Sequence, residues 1–449
     1  MIEDTMRCKI RNYNRREFID HTVKGTIGLL TFPFILNGSK ESQARTIDKS
    51  TVIVVKDEIV LRNNRIDQQV LQVMVDAAIK TLTGFQDIGE AWKSLFPEIK
   101  QSNVISIKVN CINRSLSSHP EIAYSIVNGL TRMQVEGNSF PENNIIIWDR
   151  TNSELRNAGY SINTGITGAR CFGTSQAGGG YSSTQFNVAG RSQRISQILT
   201  DMSDYIINLS VLKNHGTAGV TLSMKNHYGT CDGPGSIHGG YCDPYVPALN
   251  NLSPIRDKQV INICDAIYGI ISGGPSGNPQ ITPKSLIMSK DPVAHDYIGA
   301  QILQQNGCQT IGRATHIATA AKAPYNLGTN DPNQIDLIEI ENPTTGVDEI
   351  PKQQQSPDDF QLFQNYPNPF NAQTTLSYQL FKPAKVRLDI YNIQGEFVHR
   401  LIDSYQSSGY YRIPWNGKAL NGIFVPSGTY LVQFQFGDVQ RTIKIQLVK

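Results

Sequence analysis

Between Thr46 and Asn342, short apolar runs rich in Val and Ile alternate with segments of helical period. The runs are Thr51–Val55, Val104–Val109, Asn144–Trp148, Tyr205–Leu209, Val260–Cys264, Ser285–Met288 and Asp336–Ile340. Most are continuously apolar rather than alternating, which predicts strands buried on both faces. In the first helical segment Leu71, Met74, Val75, Ala78 and Leu82 share a face, and Gly84 follows as a stop. Pro120 opens a second, with Ile122, Ile126, Leu130 and Met133 on one side and Gly137 closing it. A third is predicted from Asp291 as its cap and Pro292 at its first position to Gly307. This alternation predicts, over residues 45–342, an α/β domain with a layered, mainly parallel sheet and helices on both faces.

The period then changes. Residues 343–359 are polar, with Pro351, Gln353-Gln354-Gln355 and Pro357, and read as a linker. Over residues 360–449 the spacing is two: Val386, Leu388 and Ile390 alternate with polar neighbours, as do Tyr430, Val432, Phe434 and Phe436. Gly437-Asp438 marks a two-residue hairpin. Short strands separated by turn signals predict a small C-terminal β-sandwich.

The 449 residues exceed one ordinary core, in keeping with that division. A net charge of +3, without a basic stripe, gives no case for nucleic-acid binding. No apolar run reaches the ~20 residues of a membrane span. The first residues matter more. Arg15-Arg16 precede an apolar stretch from Gly25 to Leu36, and Ser42-Gln43-Ala44 supplies small residues for cleavage. Residues 1–44 therefore read as a twin-arginine signal peptide, with the twin-arginine translocase as partner and a destination outside the cytoplasm. That route carries folded proteins, often with a cofactor already inserted. Removing Cys8 with the leader leaves six of the seven cysteines, an even number that permits disulfides in an oxidising compartment.

Chemistry-bearing residues concentrate at predicted strand ends, where α/β sheets gather ligands. Lys108 and Asn110 end one strand, Asp149 follows the next, and Lys213, Asn214 and His215 follow another. Lys108, Lys213 and Lys225 form a candidate positive cleft for a carboxylate or phosphate, with Asn110 and Asn226 orienting it. His215 is the candidate proton-transfer residue, with Lys225 and Asp149 as further candidate catalytic groups. His227, Cys231, His238 and Cys242 offer the two nitrogens and two sulfurs of a tetrahedral zinc or other transition-metal site. A Cys231–Cys242 disulfide closing a Gly-rich loop is the competing reading, and the residues leave both open. His119, His295 and His316 read as structural, Asp291 as a cap, Asp265 as a cap or turn residue, and Gly178-Gly179-Gly180 as a flexible loop or lid.

Two resemblances add to this reading. In the sandwich, Asn365-Tyr366-Pro367-Asn368-Pro369-Phe370-Asn371, Ile390-Tyr391-Asn392-Ile393-Gln394-Gly395 and Val425-Pro426-Ser427-Gly428-Thr429-Tyr430 resemble the C-terminal sorting domains of type IX (Por) secretion cargo. These in turn resemble the immunoglobulin-like module of flagellar hook-capping proteins. The resemblance implies the outer-membrane type IX machinery as a partner, and passage from the periplasm to the cell surface or medium. From about Thr51 to Glu341, the segments Ile107–Asn110, Lys213–Asp243 and Ser289–Asp296 resemble the domain of unknown function family 362. Some members of that family carry iron–sulfur modules, but this chain has no Cys-x-x-Cys-x-x-Cys run to hold one. The expectation is an exported, metal- or cofactor-assisted enzyme acting on an anionic small molecule. The alternative is a surface-displayed protein that binds such a ligand without catalysis.

Overall fold

The computed structural model describes residues 49–175, 180–346, 360–366, 368–380, 382–407, 409–437 and 439–448. The leader, most of the linker and Gly178-Gly179 lie outside the described residues.

All the predicted apolar runs of the first domain are strands of one sheet: β1 (Ser50–Lys56), β2 (Ile105–Lys108), β3 (Ile145–Trp148), β4 (Arg170–Cys171), β5 (Tyr205–His215), β6 (Gly219–Thr221), β7 (Gln259–Ile270), β8 (Ser285–Ser289) and β9 (Ile335–Glu341). Their order is β9-β1-β8-β7-β5-β2-β3-β4, with β6 paired to β5. The sheet is mixed. β7, β5, β2, β3 and β4 run parallel to one another and β1 parallel to β9, but β8 is antiparallel to both β1 and β7, and β6 to β5. A both-face-buried apolar run looks the same in either direction, so its pattern carries no direction.

Alternate residues of each strand enter opposite cores, as the two-residue period requires. Ile53 and Val55 of β1 pack beneath α1 (Gln68–Thr83), α2 (Ile88–Lys93) and α3 (Pro120–Leu130). Val52 and Val54 pack on the other face with Met224, Val246, Val293 and Ile317. Helices thus cover both faces. α1 starts at Asp67, whose carboxylate accepts from the Gln69 and Val70 amides, and stops at Gly84. α3 ends sooner than expected. It stops at Leu130 because the chain turns into a hairpin, Gln134–Val135 against Asn138–Ser139, with Gly137 at φ +80° in its turn. Gly137 closes that turn rather than the helix.

The C-terminal region is a pair of antiparallel sheets, one of β10 (Phe360–Leu362), β11 (Thr374–Leu380) and β14 (Gly409–Trp415), the other of β12 (Ala384–Asn392), β13 (Phe397–Gln406), β15 (Gly428–Phe436) and β16 (Val439–Leu447). Their inward residues form a separate core around Trp415, Tyr378 and Phe434. The sandwich is docked rather than strung loosely. Tyr410 stacks on Tyr124 of α3 with ring centroids 4.6 Å apart, and Phe363 and Tyr410 are buried within the first-domain core. Arg412 pairs with Glu142 at 2.7 Å. Tyr366 donates to Asp76 at 2.8 Å and accepts from Arg132. Truncating such a buried aromatic costs about 3–5 kcal/mol. We therefore expect Tyr410→Ala to lower the urea midpoint of the whole chain by that much, whereas an unchanged midpoint would rule out a stabilising contact there.

Candidate functional site

The segment after β5 builds the site. β5 turns back through β6 into the short helix α4 (Ser223–Asn226), then a 3-10 turn over His227–Thr230. α4 is fixed from below. Asp296, in α6 (Pro292–Gln305), accepts from the Ser223 amide at 2.8 Å, the Ser223 hydroxyl at 2.6 Å and the Met224 amide at 3.0 Å. Asp291 caps α6 through the Val293 and Ala294 amides, as the sequence predicts.

The expected cleft of three lysines divides into separate environments. Lys108 is buried and ion-paired with Asp149 at 2.8 Å. Asp149 is fully engaged, since its other oxygen accepts from the Cys111 amide at 2.6 Å. It is therefore a counter-ion here, not a free catalytic group. Lys213 donates to Asn110 Oδ1 at 2.7 Å, and burial pulls its ammonium down to about 8. Asn110 then donates to Asn226 at 2.9 Å and Asn226 to Asn208 at 2.7 Å. These partners lie on a polar row across the sheet, in which Lys108 stands opposite Asn208, Asn208 opposite Asn262, and Asn262 opposite Ser289. Lys213, Asn110 and Asn226 thus satisfy one another, while the Lys108 ammonium is satisfied by Asp149 and the Val109 carbonyl. The expected substrate-binding quartet is a closed buried network, which a desolvated polar group demands.

The four expected metal ligands stand in different surroundings. Among the described residues no three His, Cys, Asp or Glu side chains are grouped to hold an ion. His227 is buried, with Nε2 taken by Gln259 at 2.6 Å and Asn208 at 3.3 Å. His238 Nε2 faces the Lys225 amine at 3.3 Å, and an ammonium there repels a cation. The thiols of Cys231 and Cys242 are free rather than joined. Cys231 Sγ approaches the Tyr228 carbonyl at 3.4 Å and Cys242 Sγ the His238 carbonyl at 3.9 Å. Burial pushes the Cys231 thiol up to about 12.

What the segment does assemble is a lysine among imidazoles. Lys225 is 5% exposed, and its Nζ lies 3.7 Å from the centre of the Tyr228 ring. Among the described residues no carboxylate forms an ion pair with it. Burial holds its pKa at about 8, with Cys242 and Cys231 opposing that shift. His238 Nδ1 donates to the Pro234 carbonyl at 2.6 Å, which leaves Nε2 as the bare acceptor facing Lys225. His215 has the opposite tautomer. Its Nδ1 accepts from the Thr217 and Ala218 amides, both at 3.1 Å, so the ring proton resides on Nε2. The rings of His215 and His238 are 5.7 Å apart. Burial and then the Lys225 charge push His215 down to about 3, and the same causes lower His238. His238 is thus the acceptor in contact with the amine, and the donor imidazole of His215 lies beside His238.

His316, expected to be structural, belongs to the same neighbourhood. It is fully buried with neither ring nitrogen partnered, and burial holds it at about 4, with Asp296, Lys225 and Asp243 as its charged neighbours. Its sequence neighbours, Thr315 and Ile317, gave no chemical signal. His119, by contrast, forms a separate ion pair with Asp265 at 2.6 Å. Asp265 also accepts from the His119 amide at 2.9 Å, at the start of α3, and from the Ile267 amide at 3.2 Å.

Comparison with known proteins agrees with this division. Residues 105–301 match the family model for the domain of unknown function (DUF362), and residues 367–436 match that of the FlgD Ig-like domain. The chain therefore carries a DUF362 domain in its central region and a FlgD Ig-like domain at its C-terminus. No curated protein matches it. Among solved structures, PorZ, an essential surface component of the type IX secretion system of Porphyromonas gingivalis, is 19% identical over 20% of this chain and 11% of its own, at a TM-score of 0.16. FlgD from P. aeruginosa is 27% identical over 16% of this chain and 57% of its own, at a TM-score of 0.14. A Thermotoga maritima protein is 9% identical over 57% of this chain and 60% of its own, at a TM-score of 0.30. The chain thus spans about a tenth of PorZ and of latent PorU, and somewhat over half of FlgD. Among the described residues no helix is long and apolar enough to cross a membrane.

Proposed function

We propose that the chain is an exported enzyme whose Lys225–His238–His215 site acts on a small anionic molecule. The carrying observation is the 3.3 Å approach of Lys225 Nζ to the bare Nε2 of His238, with no carboxylate paired to the amine. Below about 8 the buried amine is an ammonium that lacks a counter-ion, and an anionic substrate group supplies one. His238 Nε2 takes or returns a proton at that amine, while His215 Nε2–H donates to an oxygen of the bound molecule. Tyr228 closes the remaining side with its ring.

Export belongs to the same proposal: the twin-arginine translocase first, the type IX machinery next, and the cell surface or medium last. Its support is the FlgD Ig-like match together with the three ordered sandwich motifs.

Calorimetric titration of the full chain with acetate and with inorganic phosphate tests the site. At pH 7 we expect binding of at least one of them. Lys225→Met should weaken it by about tenfold or more, the loss of one charge-assisted contact. Wild-type affinity should also fall as pH rises through about 8, where the ammonium is lost. Binding indifferent to Lys225→Met would overturn the assignment.

A further inference from the structure

Among the described residues of this domain three lysines are buried, and only Lys225 has a basic nitrogen in contact with its amine. Lys108 has the Asp149 carboxylate at 2.8 Å. Lys213 is held by the Asn110 amide oxygen at 2.7 Å and the Leu116 carbonyl at 3.4 Å. Lys225 has a neutral acceptor nitrogen at 3.3 Å and an aromatic ring at 3.7 Å. An amine kept from water, without a carboxylate to fix its proton and with a base in contact, is arranged as a nucleophile. The imidazoles beside it have complementary roles: His238 Nε2 can only accept, and His215 Nε2–H can donate to an oxygen.

We propose that Lys225 forms an imine with a small α-oxo carboxylate, whose carboxylate first pairs with the ammonium and whose carbonyl carbon then takes the amine. This rests on the anion-site reading above and narrows its substrate class. The ammonium gives one proton to His238 Nε2, and the freed lone pair adds to the carbonyl carbon. The carbonyl π pair moves onto oxygen, which is hydrogen-bonded by His215 Nε2–H and takes the proton that His238 holds. The carbinolamine nitrogen then loses its second proton to His238, which passes it to the departing hydroxyl, so that water leaves and a protonated C=N bond forms. One amine and one carbonyl give one imine and one water, with no oxidant or reductant consumed. An imine withdraws electrons from the neighbouring carbon, so decarboxylation, aldol cleavage and proton exchange at that carbon are the reactions it opens.

Trapping with hydride tests this. The full chain is incubated with pyruvate and sodium cyanoborohydride, and the modified residue is located by peptide mass mapping. Hydride adds to the imine carbon and leaves a stable carboxyethyl amine. We expect that adduct at Lys225 at least tenfold above the half-exposed Lys56 and Lys93. Excess acetate should suppress it, and His238→Gln should slow it several-fold. Lys225→Arg should carry no adduct at that position while its circular-dichroism spectrum is retained. If that variant does not fold, acetate protection of wild type serves as the control. An adduct spread evenly over surface lysines, or one at Lys225 indifferent to acetate, overturns the proposal. Lys225-dependent acetate binding without any adduct defeats the imine alone, and the absence of both defeats the anion site too.

Discussion

Replacing Asp149 by Ala is expected to destabilise the chain by about 3–5 kcal/mol, because it leaves the Lys108 ammonium buried without its counter-ion. The two side chains are 1% and 4% exposed and 2.8 Å apart, so neither reaches water when the other is removed. The damage should spread to the site. Gly229, in the turn between Tyr228 and Cys231, packs so closely that a Cβ there would lie 2.8 Å from Lys108 Nζ and 3.1 Å from Asp149 Oδ1. The pair is thus the floor on which the Tyr228 turn rests. Urea denaturation measures the loss. The double replacement Lys108→Met with Asp149→Leu should recover most of it, because an apolar pair of similar volume avoids the desolvation penalty. Equal costs for the single and double variants would show that the ion pair is not what the fold depends on.

Seven of the nine strands of the main sheet were legible because burial on both faces imposes unbroken Val/Ile runs, and β1, β2 and β3 show them plainly. Asp291-Pro292 announced α6 because capping is local chemistry. The end of α3 was misread: Met133 and Gly137 continue a helical spacing, and only tertiary context turns that stretch into a hairpin. The candidate site was legible as a segment but not as an arrangement. His215, Lys225, His227 and His238 all stand in the motif-dense stretch, yet which of them meet depends on partners far away in sequence. His227 is claimed by Gln259 and Lys108 by Asp149, which leaves His238 to Lys225. Spacing suggested a metal set because it counts donor atoms. It is blind to a nearby ammonium and to backbone groups such as Pro234 and Thr217 that fix each imidazole's proton.

The buried imidazoles should make the native state acid-labile well above the usual carboxylate range. His215 is held at about 3, and His227 and His316 at about 4, each chiefly by burial. All lie below the unfolded value of about 6.5, so between roughly pH 6.5 and 4 the unfolded chain binds the protons that the native chain refuses. Stability from these groups is complete above 6.5 and lost on acidification, by about 1.4 kcal/mol per pH unit for each imidazole and on the order of 4 together near pH 5. Asp76 and Glu121, whose carboxyls burial pushes up, work against that slope. The alkaline side has its own shape. Burial lowers His119, but the Asp265 charge and hydrogen bond outweigh it and raise the group to about 9. Its contribution is therefore present below 6.5 and disappears as pH rises through 9. Lys213 and Lys225, both at about 8, have the reverse sign and restore stability between 8 and their unfolded value of about 10.5. The buried thiols of Cys111, Cys171, Cys231 and Cys264, all raised by burial, cost stability above about 8.5 and outnumber the two lysines. Urea midpoints measured from pH 4 to 10.5 should accordingly show a maximum near 6.5, a steep acid limb and a decline on the alkaline side. His316→Leu removes an imidazole that has no hydrogen-bond partner to lose, so it should flatten the acid limb by about one proton's worth, 1.4 kcal/mol per pH unit. A midpoint flat from 6.5 to 4 in the wild type would show that these rings are not kept neutral in the native state.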